Sequence, residues 1–289
     1  SLSGALYNAF SGLKANTRAA NVVSTNISNA TTESYGRRSV ELSPGAAGSS
    51  GGVRIDAVVR NVDPVVVSDR RLSDASLGYG GSLHAFASRF EQQVGDSNQP
   101  GSLIDRMIAF ENALLVAVSN PAATQRLETV AESADALAGK INVLADEVQT
   151  AREAADRTIG AQVDRINDTM RQLERINDRV RTAGNIGGDT ASLLDERQRL
   201  LDGISEIVPL RVVQREQDQI SVYTRGGATL LDASASEIGF QPTGYITADL
   251  SLGAGLSGLT LNGEPVVSTE RGMFAGGDIV RGGATVILA

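Results

Sequence analysis

The chain has 289 residues, 41% of them hydrophobic, and a net charge of −8. That apolar share is enough for a folded core. The acidic excess opposes binding to nucleic acid and to anionic membranes, because both need basic residues. The chain contains no cysteine, which excludes disulfides, thiolate metal sites and cysteine nucleophiles. No apolar run reaches the ~20 residues of a spanning helix, so we expect no membrane insertion, and the first residues show no cleaved secretory signal.

The first predicted helix runs from about Leu2 to Ile27, with core positions at alternating spacings of four and three. These positions, which we call the seam, are Leu2, Leu6, Ala9, Leu13, Asn16, Ala20, Val23 and Ile27. A heptad seam on a single helix is not stable alone and favours a partner helix. The open alternative is an ordinary amphipathic helix packed on its own domain.

The segment after this helix is rich in Asn, Ser and Thr from Asn26 to Arg38. Such side chains bond to nearby backbone and end helices. Short strands are then predicted at Ser39–Leu42 and Val53–Val59, separated by a loop rich in glycine and serine.

Helical patterns follow from about Pro64 to Val94 and from Leu103 to Val118, the second with an apolar stripe that we interpret as core. Asn120 and Pro121 predict the start of a long helix, with Pro121 as its first residue. This helix extends from about 122 to 181, and about 60 residues would span about 90 Å at 1.5 Å per residue. That length predicts a rod unless Gly139 or Gly160 folds the helix back.

Thr190 can cap a further short helix, after which the apolar period changes from helical to alternating. Strands are predicted at 210–214, 219–224 and 228–231, with short β-type runs up to Val286–Ala289. The predicted fold class is therefore α+β: an elongated helical domain with long antiparallel helices, plus a small Gly-rich β domain at one end. The predicted ranges are 1–45 for the terminal helix and junction motif, 46–208 for the helical domain and 209–289 for the β domain. The last run is apolar and has no stop signal, so we expect more protein beyond it.

The residues that carry chemistry form no convincing catalytic, metal or cofactor site. His84 is interpreted as a structural histidine on a helix. Asp195 and Glu196 have no His or Cys partner, and the Gly226-Gly227 and Gly282-Gly283 pairs lack the Lys and Ser/Thr of a phosphate-binding loop. We therefore expect no catalytic residues, no cofactor and no bound metal.

The opening segment resembles the flagellar rod, hook and hook-associated proteins. The matching residues are Ser11-Gly12-Leu13, Asn16, Ala20 and the run Asn26 to Arg38. Ser34 stands where that family usually has glycine, and Gly36 follows Tyr35 instead. Farther along, the chain is similar to the hook-associated proteins of the hook–filament junction, up to about residue 235. Those matches are Val53–Gln92, Ser119–Arg126, Val163–Asn167 with Ile176-Asn177, and Leu193–Leu201.

The resemblance implies an exported structural subunit of the flagellum, not an enzyme. It would leave the cell unfolded by type III export, with a chaperone, and assemble outside by helix packing into a tube. The implied partners are other copies of itself, the hook protein and the next junction protein. That family's C-terminal helix is absent from this chain, so the seam would be frayed or held by a neighbouring molecule.

The assembly hypothesis assigns the seam and the turn after it to subunit contacts. The residues are Leu6, Leu13, Val23, Asn26, Ile27, Asn29, Tyr35 and Arg37. Two alternatives stay open from the sequence. One is a cytoplasmic coiled-coil tether or scaffold that dimerises through the 122–181 helix. The other is a glycan hydrolase, which would need paired carboxylates in a pocket.

Overall fold

A computed structural model describes residues 2–45, 51–185, 190–252 and 255–266. The helices are α1 (Leu2–Ser28), α2 (Pro64–Val94), α3 (Leu103–Val118), α4 (Thr124–Asn185) and α5 (Ala191–Ser205). The longer strands are β1 (Arg37–Pro44), β2 (Val53–Asn61), β3 (Leu210–Gln214), β4 (Ile220–Thr224) and β5 (Thr229–Leu231). Five strands of two residues follow: β6 (Ile238–Gly239), β7 (Ser251–Leu252), β8 (Gly255–Leu256), β9 (Thr260–Leu261) and β10 (Glu264–Pro265). The predicted α+β class is confirmed.

The long helix α4 has 62 residues and runs through both Gly139 and Gly160. The prediction that Pro121 opens this helix is wrong. Pro121 lies in a turn closed by the Ala123 N–H, which donates to the Asn120 carbonyl at 3.2 Å. A proline favours the second position of such a turn because its φ is already fixed near the required value.

The chain forms two compact units that interleave along the sequence. Unit 1 comprises 1–75 and 166–236, and unit 2 comprises 76–165 and 237–289. The predicted ranges 1–45, 46–208 and 209–289 stay a prediction. Part of the predicted loop at 184–189 lies outside the described residues. The predicted run Val286–Ala289 lies wholly outside them.

The core of unit 1 forms where the second part of α4 meets α5 and an antiparallel sheet. Its sheet has the order β3-β4-β5, with Val212 opposite Val222. The fully buried side chains include Ile166, Met170, Leu173, Ile204 and Leu230. On α4 the buried residues recur at helical spacing, as the sequence pattern predicts. In β4 the adjacent residues Ile220, Ser221 and Val222 are all buried, so both faces of this strand are covered and the expected alternation of buried and exposed positions is absent. The predicted strands at 210–214, 219–224 and 228–231 are confirmed.

The N-terminal part of unit 1 is α1 packed on the hairpin β1–β2. The two strands pair antiparallel from Arg37 opposite Asn61 to Pro44 opposite Val53, with a bulge between Glu41 and Leu42. After the hairpin, the Val65 N–H donates to Asp63 Oδ1 at 2.8 Å. Asp63 therefore caps α2, with Pro64 as its first residue.

In unit 2, the loop at 242–250 is held against α4 by charged side chains. Arg152 is buried and donates to the carbonyls of Thr247 at 3.0 Å and Leu250. Asp156 accepts from the Thr243 N–H at 2.7 Å. A Cβ at Gly160 would lie 2.9 Å from Pro242 Cγ, so this glycine lets the loop approach the helix.

Two predictions of burial in unit 2 are wrong. On α3, Met107, Leu114 and Val118 are 53%, 41% and 75% exposed, so the predicted stripe is not a closed core. The spacing reports an apolar face, but it does not report whether anything in the chain covers that face. His84 is also exposed on α2; it is not an internal structural histidine.

The Thr190 side chain makes no cap bond to α5.

Candidate assembly interface

All eight seam residues of α1 are exposed. The exposed fractions are 71% for Leu6, 64% for Leu13, 55% for Val23 and 71% for Ile27. Contiguous apolar side chains left in water indicate a surface that another molecule or segment covers. Within the described residues, the buried positions of α1 are Ala15 and Val22, and the seam stays a predicted assembly surface.

The buried positions of α1 are small aliphatic side chains. Ala15 and Val22 are 3% and 7% exposed. One turn earlier, Ser11 Oγ accepts a hydrogen bond at 3.1 Å from the Val53 N–H at the start of β2. Small residues let the helix lie close to the strands, and the larger seam side chains are thereby turned away from the hairpin.

Asn26 joins the last turn of α1 to the start of β1. Its side-chain amide donates to the Arg38 carbonyl at 2.8 Å, and its Oδ1 accepts from the Arg38 N–H at 2.9 Å. Tyr35 Oη also donates to Asn26 Oδ1, at 2.8 Å. Few side chains other than asparagine can donate to and accept from one backbone unit in this way.

Asn29 and Arg37 differ in what the structure shows of them. Asn29 Nδ2 donates to the Thr25 carbonyl at 3.0 Å, and Asn29 Oδ1 accepts from Thr32 Oγ1 at 3.2 Å, so Asn29 closes the end of α1. Arg37 is exposed at the first position of β1, and the backbone contacts to Asn26 come from its neighbour Arg38. Arg37 remains a predicted subunit contact.

Two carboxylates of α5 hold the turn that follows α1, a feature that sequence reasoning missed. Asp195 Oδ1 accepts from the Gly36 N–H at 2.9 Å and from Arg60 Nε at 2.6 Å. Asp195 Oδ2 accepts from Arg38 Nη2 at 2.6 Å. Both oxygens of this carboxylate are therefore engaged in short, charge-assisted hydrogen bonds.

Asp202, two turns farther along α5, makes a similar set of contacts. Its Oδ2 accepts from Ser34 Oγ at 2.6 Å, and its Oδ1 accepts from Arg71 Nε at 2.7 Å and lies 2.5 Å from Arg70 Nη2. Gln198 lies between the two aspartates on the same face and accepts from Arg60. We call Asp195, Gln198 and Asp202 the acidic clasp.

The spacing of the clasp residues is the signal that the sequence offered. Positions three and four residues apart lie on one helix face, so Asp195, Gln198 and Asp202 form a polar stripe on α5. From the sequence, Asp195 has no His or Cys partner. The partners are arginines more than 120 residues earlier in the chain, a pairing that helical periodicity does not report.

Ser34 and Gly36 show how the turn accommodates its unusual sequence. Ser34 has a φ of +63°, a conformation that glycine adopts more easily than serine. The hydrogen bond from Ser34 Oγ to Asp202 compensates for that preference. At Gly36 a Cβ would fall 2.3 Å from Arg60 Nε, so glycine is required there for Arg60 to reach Asp195.

Ionised side chains in and beside the clasp carry shifted pKa values. Burial alone would raise the pKa of Asp202, but hydrogen bonds from Arg70 and Ser34 and the charge of Arg71 outweigh it and lower the pKa below its usual value. On the same helix, burial lowers the pKa of Arg197 to about 10. Both groups are therefore charged near neutral pH.

We expect the stabilising effect of Asp202 to depend on pH. Because the folded-state pKa is lowered, the contribution is present above the unfolded pKa of about 3.9 and is lost as the pH falls through the folded value. Unfolding by urea should show Asp202→Asn to be much less stable than wild type at pH 7, with the difference shrinking below about pH 4.

The control for this pH dependence is Asp168→Asn, since Asp168 is 64% exposed in a surface pair with Arg171. That substitution should change the free energy of unfolding by less than about 1 kcal/mol. An Asp202→Asn effect that stays constant from pH 7 to the lowest pH at which the chain is folded would contradict the assignment.

Among residues 2–45, 51–185, 190–252 and 255–266, no helix is long and apolar enough to cross a membrane. The same residues contain no group of three or more His, Cys, Asp or Glu side chains placed to hold a metal ion.

Residues 87–279 match the family model described as the flagellar hook-associated protein FlgK helical domain. Over 246 residues the chain is 26% identical to flagellar hook-associated protein 1 of Escherichia coli, covering 81% of this chain and 44% of that protein. It is 27% identical to the Salmonella typhimurium protein over 250 residues, with the same coverage. Against the Bacillus subtilis protein the identity is 23%, covering 78% of this chain and 48% of that one.

Among solved structures, the hook junction protein FlgK from Burkholderia pseudomallei aligns with a TM-score of 0.53 at 17% identity. The alignment covers 59% of this chain and 30% of that one, and at this identity it shows a shared fold. The chain spans less than half the length of the curated relatives it matches.

Proposed function

This chain belongs to the family of the flagellar hook-associated protein FlgK helical domain, and on that premise we propose that it is a structural subunit of the bacterial flagellum at the hook–filament junction. In this role it is part of an extracellular tube and catalyses no reaction. Its partners are other copies of itself, the hook protein and the next junction protein, with an export chaperone before assembly.

The observation that carries this proposal is the exposed seam of α1. Leu6, Leu13 and Ile27 leave most of their side-chain surface in water. Each such residue adds about 1.5–3 kcal/mol when it becomes fully buried. A single contact is weak, but a subunit that repeats the contact around and along a tube gains from every copy.

The tether hypothesis is less well supported, because α4 has already used much of its apolar face. Ile166, Met170 and Leu173 are fully buried within unit 1, so they cannot also form a dimer seam. Leu127 and Ile141, which precede them on α4, remain about half exposed and could form a dimer contact. A tether that dimerises there would, however, give no role to the contacts among Asn26, Tyr35 and Arg38. The hydrolase hypothesis loses support because the family is one of structural hook-associated proteins.

The proposed function predicts the phenotype of a strain that lacks this gene. We expect its cells to keep their hooks, to lack filaments and to release unassembled filament subunit into the medium. The reason is that the hook would lack the junction subunit to which the filament attaches. Electron microscopy of the cells and immunoblotting of the medium measure both effects, with the full-length gene restored on a plasmid as the control. Normal filaments in the deletion strain would contradict the proposal.

A further inference from the structure

We propose that the acidic clasp of α5 orients α1, so that the direction in which the seam is presented depends on the folded core of unit 1. The consequence for assembly rests on the function proposed above. The orienting role itself rests on contacts within unit 1.

The first step is that α1 and the hairpin behave as one piece. Ala15 and Val22 are buried, α1 contacts both strands of the hairpin, and Asn26 is bonded in both directions to the backbone of Arg38. Tyr35 adds a third bond to Asn26, and the Arg38 guanidinium lies 5.2 Å from the centre of the Tyr35 ring. Whatever fixes the turn at 34–38 therefore also fixes the last turn of α1.

The second step is that the clasp holds this turn from α5. Ser34, Gly36 and Arg38 each donate a hydrogen bond to Asp195 or Asp202. Charge-assisted bonds are short and directional, and they therefore define an orientation, whereas apolar contacts tolerate sliding. Arg60 on β2 adds a bond to Asp195, so both strands of the hairpin are held by one carboxylate.

The third step is that α5 takes its own position from the core. Its other face carries Leu200, Leu201 and Ile204, which are 9%, 3% and 1% exposed. The orientation of α1 is thus passed from the core through α5 and the clasp to the turn. A chain whose core is still unfolded would present the seam in no fixed direction, and it would become competent for tube assembly only after α5 has docked.

The test measures the distance between α1 and α5 directly. The chain contains no cysteine, so introduced cysteines can carry the spin labels. The labels are attached at Lys14→Cys and Arg199→Cys, two exposed positions of unit 1. The experiment uses the full-length protein with any other cysteine removed. When the clasp is intact, pulsed electron paramagnetic resonance should give one narrow distribution of distances between the two spin labels. Asp195→Asn keeps the side-chain shape and removes the charge, and it should broaden that distribution while the helical content by circular dichroism stays unchanged.

Glu196→Gln is the matched control, since Glu196 neighbours Asp195 on α5 and lies in a loose, exposed pair with Arg179 at 3.9 Å. It should leave the distribution narrow. Asp195→Glu should restore part of the narrow distribution, which a purely destabilising effect would not do. A distribution that stays narrow in folded Asp195→Asn would overturn the inference. This result does not depend on the proposed function. The proposed function is tested separately, by whether the seam variant Leu13→Asp assembles.

Discussion

Leu13→Asp in the full-length protein is expected to abolish assembly at the hook while leaving the subunit folded. Leu13 is 64% exposed and lies in the middle of the seam, so its replacement removes no contact of the subunit's own core. In a packed tube, the same change would bury a carboxylate without a partner, which costs several kcal/mol per subunit. Cells that carry only this variant should be non-motile and should shed filament subunit.

The control for this experiment is Asn21→Asp, which adds the same charge at an exposed position of α1 outside the seam. That variant should assemble. Circular dichroism of the two purified variants should show the same helical content and the same unfolding transition. Filaments of normal number in cells that carry Leu13→Asp would mean that the seam is not an assembly surface.

The largest loss of stability from a single polar side chain is expected for Asn177→Ala. Asn177 is 5% exposed, and its amide donates to the Ile220 carbonyl at 2.8 Å while its Oδ1 accepts from the Ile220 N–H at 3.2 Å. Truncation leaves both backbone groups of a buried strand residue without this partner. Each unsatisfied group costs about 1–3 kcal/mol, so we expect a total loss of about 2–6 kcal/mol.

Unfolding by urea, followed by circular dichroism, measures this loss. Asn185→Ala at the exposed end of α4 is the matched control, and it should change the free energy of unfolding by less than about 0.5 kcal/mol. A change of the same small size for Asn177→Ala would show that the link between α4 and β4 does not stabilise unit 1.

The elements of this fold that sequence reasoning predicted well are those with a strong period. The heptad spacing of α1, the long helical pattern of α4 and the alternation in β3 and β4 each follow from geometry that one stretch of chain defines by itself. Asn177 lies in a stretch that resembles the hook-associated proteins, and its bonds to the backbone of Ile220 were not predicted from the sequence.

The clasp and the uncovered stripe of α3 were not predictable in the same way. Asp195 and Arg60 are 135 residues apart in sequence. The local pattern around a polar residue on a helix face does not identify a partner so far away in the chain. On α3, periodicity correctly reported an apolar face, yet Met107 and Val118 are exposed. Whether an apolar face is covered depends on tertiary structure or on another molecule, and a local pattern contains neither.

The most direct test of the central claim is the reactivity of a thiol placed in the seam. Ala9→Cys lies in the seam and Asn21→Cys lies on α1 outside it, and both positions are exposed in the subunit. In the free full-length protein, a maleimide reagent should label both thiols at similar rates. In assembled flagella, the thiol at position 9 should be protected while the thiol at position 21 still reacts. Equal labelling of position 9 in free and assembled protein would contradict the account.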